Sequence, residues 1–147
     1  MAKLITGGTG FIGAELARML LDRKEEVVLF DVAPNPERIK GIGDKVKLVL
    51  GNLANYSEVF NVVKDHRIEG IYHLGGMLTV PSNMNPWASF QSNVNGTLHV
   101  LEAARLFNVE KVVFASSIAT YNLDISPMIT DVTLQRPTTM YGIGKLY

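Results

Sequence analysis

KLITGGTGFIGAELARMLLDRKEEVVLFD, residues 3–31, decides the fold of this chain. A short apolar run leads into a glycine-rich turn, and an amphipathic segment then leads into a second apolar run that ends on an acid. Apolar residues recur at helical spacing between Ala14 and Arg23, whereas residues 27–30 form the continuous apolar run of a strand buried on both faces. The stretch therefore predicts a strand, a tight turn, a helix and a second strand.

The glycines of this turn have separate physical roles. Gly7 gives the backbone the freedom to reverse direction between strand and helix. Gly10 allows the main chain to approach a ligand, and Gly13 allows the start of the helix to pack closely on the strand. The helix would direct its free N–H groups and the positive end of its dipole at the mouth of the turn. A plain tight turn would also explain the glycines alone, but their context favours a pyrophosphate site.

Asp31 ends the second predicted strand, within about 20 residues of the turn. A carboxylate at this place can accept both hydrogen bonds of the adenosine ribose diol. The same negative charge would repel a 2′-phosphate, and no arginine directly follows it. The residues therefore favour NAD over NADP as the cofactor.

The rest of the chain repeats the alternation of strand and helix. Further strands are predicted at 45–50, 70–74 and 109–115, and further helices at 37–40, after the Asn55 cap, and from Asn85–Pro86 to about Phe107. Because no hairpin signal separates the strands, the crossovers are expected to be right-handed and the sheet parallel. The predicted fold class is α/β, a Rossmann-type doubly wound parallel sheet of about five strands, with ligands at the carboxyl ends of the strands.

Composition limits the function classes. The 147 residues are 47% hydrophobic, which suffices for one globular domain with a core, and the formal net charge is zero. Because no basic run is present, we expect a small-molecule substrate and no nucleic-acid partner. The chain has no cysteine, and its three histidines lack metal-ligand spacing, so no metal site is expected. Glycines interrupt the first apolar run before it could be a signal sequence or membrane span, so we expect a cytoplasmic protein without membrane contact.

Three residues can do chemistry. Tyr141 and Lys145 are four residues apart, so on a helix they share one face and the ammonium can favour the phenolate. Tyr141 is therefore a candidate general base. Ser117 ends the fifth predicted strand, at the edge where the nicotinamide of a bound dinucleotide should lie, and could polarise a substrate oxygen while Tyr141 moves the proton. A packed tyrosine and a solvated lysine are the alternative interpretation of the pair alone.

Six ordered motifs resemble one known family. They are TGGTGFIG at 6–13, Asp31, HLGG at 73–76, NVNGT at 93–97, SS at 116–117 and YGIGK at 141–145. Together they are similar to the extended short-chain dehydrogenase/reductases, the NAD-dependent epimerases and dehydratases, along the whole chain. The resemblance implies a Rossmann-type fold, NAD as cofactor and hydride transfer on a hydroxyl or keto substrate.

The resemblance also implies roles for individual residues. The catalytic residues would be Ser117, Tyr141 and Lys145, with Lys145 also bonding the nicotinamide ribose. The pyrophosphate would lie at Gly7, Gly10, Phe11, Ile12 and Gly13, the adenosine ribose at Asp31, the adenine at Asn52 and Leu53, and the cofactor-lining backbone at Leu74, Gly75, Gly76 and Met77. Asn93 would hold the central strands together and border the cofactor. The family usually has Asp in place of Asn52, whose amide oxygen can still accept from the adenine amino group.

Within the family, GMLTVPSNMNP at 76–86 and RPTTMYG at 136–142 are most similar to the L-threonine 3-dehydrogenases. The UDP-galactose 4-epimerase branch is less similar there, because it has Lys where this chain has Leu78. We therefore expect an NAD-dependent oxidoreductase, with L-threonine 3-dehydrogenase as the first substrate assignment and a UDP-sugar epimerase or dehydratase as the alternative. Thr79 and Thr139 would lie on the substrate side, with Ser117.

Family members continue well beyond Tyr147, whereas this sequence stops two residues after Lys145. We therefore expect residues 1–147 to be an NAD(P)-binding domain that lacks the C-terminal part of the family fold, including the substrate-binding lobe. A dinucleotide-binding fragment or sensor without turnover is a further alternative. The fifth strand, protected only by Lys111, would form an open edge through which the chain self-associates into a homo-oligomer.

Overall fold

Five parallel strands form one sheet in the computed structural model, which describes residues 1–121 and 128–147. The strands are β1 (Ala2–Thr6), β2 (Glu26–Asp31), β3 (Lys47–Leu50), β4 (Ile68–His73) and β5 (Lys111–Phe114). They lie in the order β3-β2-β1-β4-β5, and every neighbouring pair is parallel. The predicted α/β class and five-stranded parallel sheet are confirmed.

Helices connect these strands. They are α1 (Phe11–Asp22), α2 (Tyr56–Asp65), α3 (Thr79–Met84), α4 (Pro86–Ser89), α5 (Gly96–Leu106) and α6 (Met140–Leu146), with short 3-10 turns at Pro36–Ile39 and Ile118–Thr120. The predicted caps of α2 and α4 are confirmed. The Asn55 side chain accepts a hydrogen bond from Ser57 N–H at 3.1 Å, and the Asn85 side chain accepts one from Ala88 N–H at 3.0 Å.

The prediction of one continuous helix from Asn85 to Phe107 is wrong in its middle. A π-helix, Phe90–Asn95, separates α4 from α5, and Gly96 N–H donates to Gln91 O five residues earlier. Apolar spacing does not distinguish one wider turn from the regular helix around it, so the pattern contains no sign of the insertion. Helix α3 was not predicted either. Its Pro81 lies in the first turn of the helix, where proline loses no hydrogen bond.

The core has one cluster on each face of the sheet. Alternate residues of β2 divide between the two clusters: Val28 and Phe30 pack with residues of α2 and α5, whereas Val27 and Leu29 pack with residues of α1. All four side chains are buried, as the continuous apolar run predicts for a strand covered on both faces.

The strand order reverses between β1 and β4. After β1 the chain builds the sheet outward through β2 and β3, and then returns to place β4 and β5 on the other side. The connections that leave β1 and β4 therefore diverge and open a crevice at the carboxyl ends of the strands. The two loops meet at its floor, where a Cβ on Gly7 would lie only 2.8 Å from Gly75 Cα.

Within residues 1–121 and 128–147, none of the helices combines the length and the apolar character that crossing a bilayer requires. The same residues contain no group of three or more His, Cys, Asp or Glu side chains placed to hold a metal ion.

Candidate active site

The backbone of the glycine turn between β1 and α1 leaves no space for a side chain at Gly7 or Gly13. Gly7 has a φ of 64° and donates its N–H to Phe30 O at 2.8 Å, which joins the turn to β2. A Cβ on Gly13 would collide with Gly7 O, so α1 begins directly against the end of β1. The close packing that was predicted for Gly13 is present in the structure.

The start of α1 offers free backbone donors. Ala14 N–H donates to Gly10 O at 3.0 Å, the first bond of the helical pattern. The N–H groups of residues 11–13 come before it and have no acceptor four residues earlier within the helix. They lie on the wall of the crevice, because Phe11, Ile12 and Gly13 all line it.

The carboxylate of Asp31 is held by the glycine turn. Its Oδ2 accepts hydrogen bonds from Thr9 N–H at 3.0 Å and from the Thr9 hydroxyl at 2.7 Å, and its Oδ1 accepts one from Ala33 N–H at 3.2 Å. These bonds fix the orientation of the carboxylate at the end of β2. Because a carboxylate has about four acceptor positions, it can still accept from a ligand.

A cleft of about 640 Å³ runs along the carboxyl ends of the strands. Most of the predicted cofactor residues line it, namely Gly7, Gly10, Phe11, Ile12, Gly13, Asp31, Asn52, Leu53, Leu74, Gly75, Gly76, Met77, Tyr141 and Lys145. Residues that are far apart in the sequence therefore share one cavity, and its volume is in the range of small-molecule and cofactor sites.

Lys145 carries its charge into a buried position on α6. The residue is only 8% exposed, and its Nζ lies 4.6 Å from the centroid of the Phe114 ring and 5.9 Å from that of the Tyr141 ring. Burial lowers the pKa of the Lys145 ammonium below its ordinary value. Among the ion pairs of the described residues, none includes this lysine. The ammonium lies beside the phenol ring, as the helical spacing predicts.

Two glycines allow α6 to pack closely on its neighbours. A Cβ on Gly142 would collide with Ala119 O in the 3-10 turn that follows β5, and a Cβ on Gly144 would lie 3.1 Å from Asn93 Cβ in the π-helix. The helix that carries the Tyr-Lys pair is thereby seated against two separate segments.

Three predicted residues from the catalytic and substrate sets do not line the cleft. Ser117 follows Ser116, which lines it, and the Ser117 hydroxyl accepts from Ala119 N–H at 3.2 Å. The Thr139 hydroxyl caps α6 by accepting from Gly142 N–H at 3.0 Å. Thr79 is the first residue of α3.

Two predicted asparagines are engaged with the backbone. Asn93 does not line the cleft itself but binds the loop that does: its Oδ1 accepts from Met77 N–H at 2.7 Å, and its Nδ2 donates to Met77 O at 2.9 Å. Asn52 lines the cleft, and its Oδ1, the atom expected to accept from adenine, already accepts from Ala54 N–H at 2.9 Å.

The cleft has further lining residues that were not predicted as site residues. They are Phe30, Val32, Arg38, Gly51, Leu78, Ser92, Ala115 and Ser116. Nearly all of them lie within a quoted motif or next to a predicted site residue, so including the immediate sequence neighbours of each site residue would have found them. Arg38 lies seven residues after Asp31, and no motif includes it.

The sequence of this chain was compared with known protein families and with known proteins. Residues 3–147 match the family described as NAD dependent epimerase/dehydratase. The UDP-glucose 4-epimerase of Lacticaseibacillus casei is 32% identical over 147 residues, which cover 99% of this chain and 44% of the relative.

Two solved structures show the same fold. A UDP-glucose 4-epimerase of Thermus thermophilus in complex with NAD has a TM-score of 0.85 at 29% identity, over 99% of this chain and 47% of that chain. A partial consensus L-threonine 3-dehydrogenase has a TM-score of 0.85 at 32% identity, over 98% of this chain and 46% of that chain. The chain spans less than half the length of these relatives. Because the family match extends over nearly all of its residues and the folds agree, the chain belongs to the NAD-dependent epimerase/dehydratase family, as its motifs predict.

Proposed function

We propose that the chain binds NAD in the cleft and forms the dinucleotide-binding part of a nucleotide-sugar epimerase. The observation that carries the proposal is that the glycine turn, Asp31 and the Tyr141–Lys145 pair line one cavity of about 640 Å³. A site for a diphosphate, a site for a ribose and a candidate general base are thereby within reach of one extended ligand.

The residues of the cleft fit NAD. The free N–H groups of residues 11–13 lie at a helix N-terminus, where the backbone donors and the helix dipole favour a pyrophosphate. A Cβ at Gly7 would press on the neighbouring loop, so the cradle depends on glycine there. The Asp31 carboxylate, which Thr9 holds at the end of β2, has acceptor positions left for a ribose diol, and its charge disfavours a 2′-phosphate.

The chain's own residues would then transfer the proton and bind the substrate oxygen. NAD, when bound, supplies a reversible acceptor for hydride. Tyr141 would exchange the proton of the substrate hydroxyl as general base and acid. The ammonium of Lys145 lies 5.9 Å from the centroid of the Tyr141 ring, and because it is buried, salt screens its charge only weakly. Ser117 does not line the cleft, but its hydroxyl only accepts from Ala119 N–H and retains a proton that it would donate to the substrate oxygen.

The relatives favour a nucleotide sugar as substrate over L-threonine. UDP-glucose 4-epimerases from several bacteria match nearly the whole chain at about the same identity as the Lacticaseibacillus casei protein. L-Threonine 3-dehydrogenase, the first assignment from the sequence, is the second candidate. It is supported by threonine dehydrogenase structures among the matches and by Leu78, which lines the cleft.

The test titrates the chain with NAD by calorimetry and then supplies a substrate. Interconversion of UDP-glucose and UDP-galactose, followed by chromatography, supports the epimerase. Formation of NADH from L-threonine supports the second candidate, and NAD binding without either turnover supports the fragment or sensor alternative. Tyr141→Phe, which keeps the ring and removes the hydroxyl, is the matched control for turnover. Failure of the unmodified chain to bind NAD would refute the proposal.

Three wider expectations stay proposals. We propose that residues 1–147 form an NAD-binding domain. The exposed side chains of Val113 and Phe114 lie on β5, which pairs with β4 alone among the described strands, and they favour self-association at this edge. A cytoplasmic location is in keeping with a chain that has no cysteine.

A further inference from the structure

His73, the last residue of β4, is a buried histidine between two threonine hydroxyls. The residue is 1% exposed, its Nδ1 lies 2.6 Å from Thr6 Oγ1, and its Nε2 lies 3.0 Å from Thr97 Oγ1. Both ring nitrogens therefore have a hydroxyl partner, one on β1 and the other on α5. The Phe114 ring lies 5.7 Å from the imidazole between centroids, and the charge of Lys145 also acts on it.

The other bonds of these hydroxyls determine which nitrogen carries the proton. The single hydroxyl proton of Thr97 is donated to Asn93 O at 2.6 Å, so toward His73 this oxygen accepts, and Nε2 must carry the hydrogen. The neutral ring then presents an unprotonated Nδ1, to which the Thr6 hydroxyl donates. Thr6 Oγ1 in turn accepts from Gly75 N–H at 3.1 Å.

The hydrogen bonds thus run in one direction, from Gly75 N–H through Thr6, His73 and Thr97 to Asn93 O. A second proton on the ring would break this order, because Nδ1–H and Thr6 O–H would both point into the same contact. Burial and the nearby Lys145 charge both oppose that second proton and lower the pKa of His73 to about 4.

Both ends of this chain of hydrogen bonds reach the same loop, residues 74–77, which lines the cleft. One end fixes Gly75 N–H through Thr6. The other end reaches Asn93, whose side chain binds Met77 through both its N–H and its carbonyl. Gly76 lies between these two anchors, and a Cβ there would press on Asn93 Oδ1 at 3.0 Å.

We infer that His73 is a positioning residue for the cofactor cleft: as a neutral Nε2–H tautomer it couples β1 to α5 and thereby holds the loop 74–77 in place along the cleft. The inference rests on the proposed NAD site for its functional consequence. The imidazole itself does not line the cleft, so its effect on a ligand passes through Gly75 and Met77.

Two substitutions each remove one of the two hydrogen bonds of the His73 imidazole. His73→Asn retains an acceptor near the position of Nδ1 and removes the donor to Thr97, whereas His73→Gln can retain a donor near Nε2 and removes the acceptor for Thr6. We expect the backbone amide signal of Met77 to move most in the first variant and that of Gly75 in the second. Each variant should bind NAD about tenfold more weakly, which corresponds to about 1.4 kcal/mol. His66→Gln, at the C-terminal end of α2, is the matched control and should leave both amide signals and affinity unchanged.

Nitrogen-15 NMR of the imidazole tests the tautomer independently of any ligand. We expect a pyrrole-like Nε2 and a pyridine-like Nδ1 that stay the same from about pH 8 to about pH 5, where an exposed histidine would titrate. A protonated Nδ1, or variants that stay folded by circular dichroism and bind NAD as tightly as the unmodified chain, would overturn the inference. If the unmodified chain binds no NAD, the proposed function fails, and the tautomer and the two amide signals still decide whether His73 positions the loop.

Discussion

The carboxylate of Asp31 accepts two hydrogen bonds from Thr9, one from its N–H at 3.0 Å and one from its hydroxyl at 2.7 Å. Thr9 lies in the glycine turn, so the residue proposed to bind ribose and the turn proposed to bind diphosphate are joined before any ligand arrives. Such preorganisation lowers the entropic cost of binding.

Asp31→Asn should lower NAD affinity about tenfold, because the amide loses one acceptor oxygen and its NH2 group faces the donors of Thr9. The discrimination against NADP should also shrink, since the repulsion of the 2′-phosphate is gone. Calorimetric titration with both nucleotides measures the two effects. Asp44→Asn, at an exposed acid outside the cleft, is the control, and equal losses in both variants would contradict the role of Asp31.

Gly13→Ala should destabilise the fold by about 1–3 kcal/mol, since the added methyl group would overlap Gly7 O at the start of α1. Urea denaturation measures the loss. Gly43→Ala, whose Cβ would meet its nearest atom at 3.7 Å, should change stability little. A Gly13 variant as stable as the Gly43 variant would show that the turn can relax.

Lys145→Met should leave the ligand-free protein as stable as before or stabilise it by about 1 kcal/mol, because it removes a buried ammonium without a carboxylate partner among the described residues. The pKa of Lys145 is lowered in the folded state, so the unfolded chain binds a proton more tightly and the unmodified protein should gain stability as the pH rises toward 10.5. The Met variant should lack this gain. Thermal melts across the alkaline range test both statements, and a large loss of stability at neutral pH would contradict them.

Acid should destabilise the protein through His73. Its folded-state pKa of about 4 lies below the ordinary value of 6.5, so the unfolded chain takes up the proton first, and stability falls as the pH drops from about 6.5 to about 4. The shift corresponds to about 3 kcal/mol when the window has been crossed. Denaturation curves of the unmodified chain and of His73→Phe, which cannot titrate, should converge with falling pH. Parallel curves would show that other groups cause the acid sensitivity.

Self-association at β5 should depend on its exposed edge. Val113 is 43% exposed, and a charge there should oppose the pairing of two such edges. Val113→Lys should therefore shift the chain toward monomer in size-exclusion chromatography. Val80→Lys, at an exposed position on α3, is the control. A clean monomer of the unmodified chain would contradict self-association.

The parts of the fold that local chemistry determines were predictable from the sequence. The turn at Gly7 and Gly13 follows from backbone sterics, the caps at Asn55 and Asn85 from side-chain hydrogen bonding, and the sheet from apolar runs separated by helical patterns. Each of these signals lies within a few residues of the feature that it predicts.

The features that escaped prediction depend on contacts between distant segments or on a change of helical winding. Arg38 lines the cleft but lies in a segment without a motif. Lys145 on α6 is covered by the ring of Phe114, which is at the end of β5 and distant in sequence. The hydroxyl of Thr139 resembles a substrate ligand in sequence but caps a helix in the structure. The π-helix leaves the apolar spacing nearly unchanged, so periodicity alone does not reveal it.

The packing of Gly142 against Ala119 and of Gly144 against Asn93 has a consequence for protein engineering. The glycines between Tyr141 and Lys145 are not free spacers, because a Cβ at either position would press on a neighbouring segment. If this tyrosine and lysine are transferred to another scaffold, both glycines and the segments that pack against them must be transferred as well. Otherwise the helix cannot pack as closely, and the two side chains will be displaced from the site.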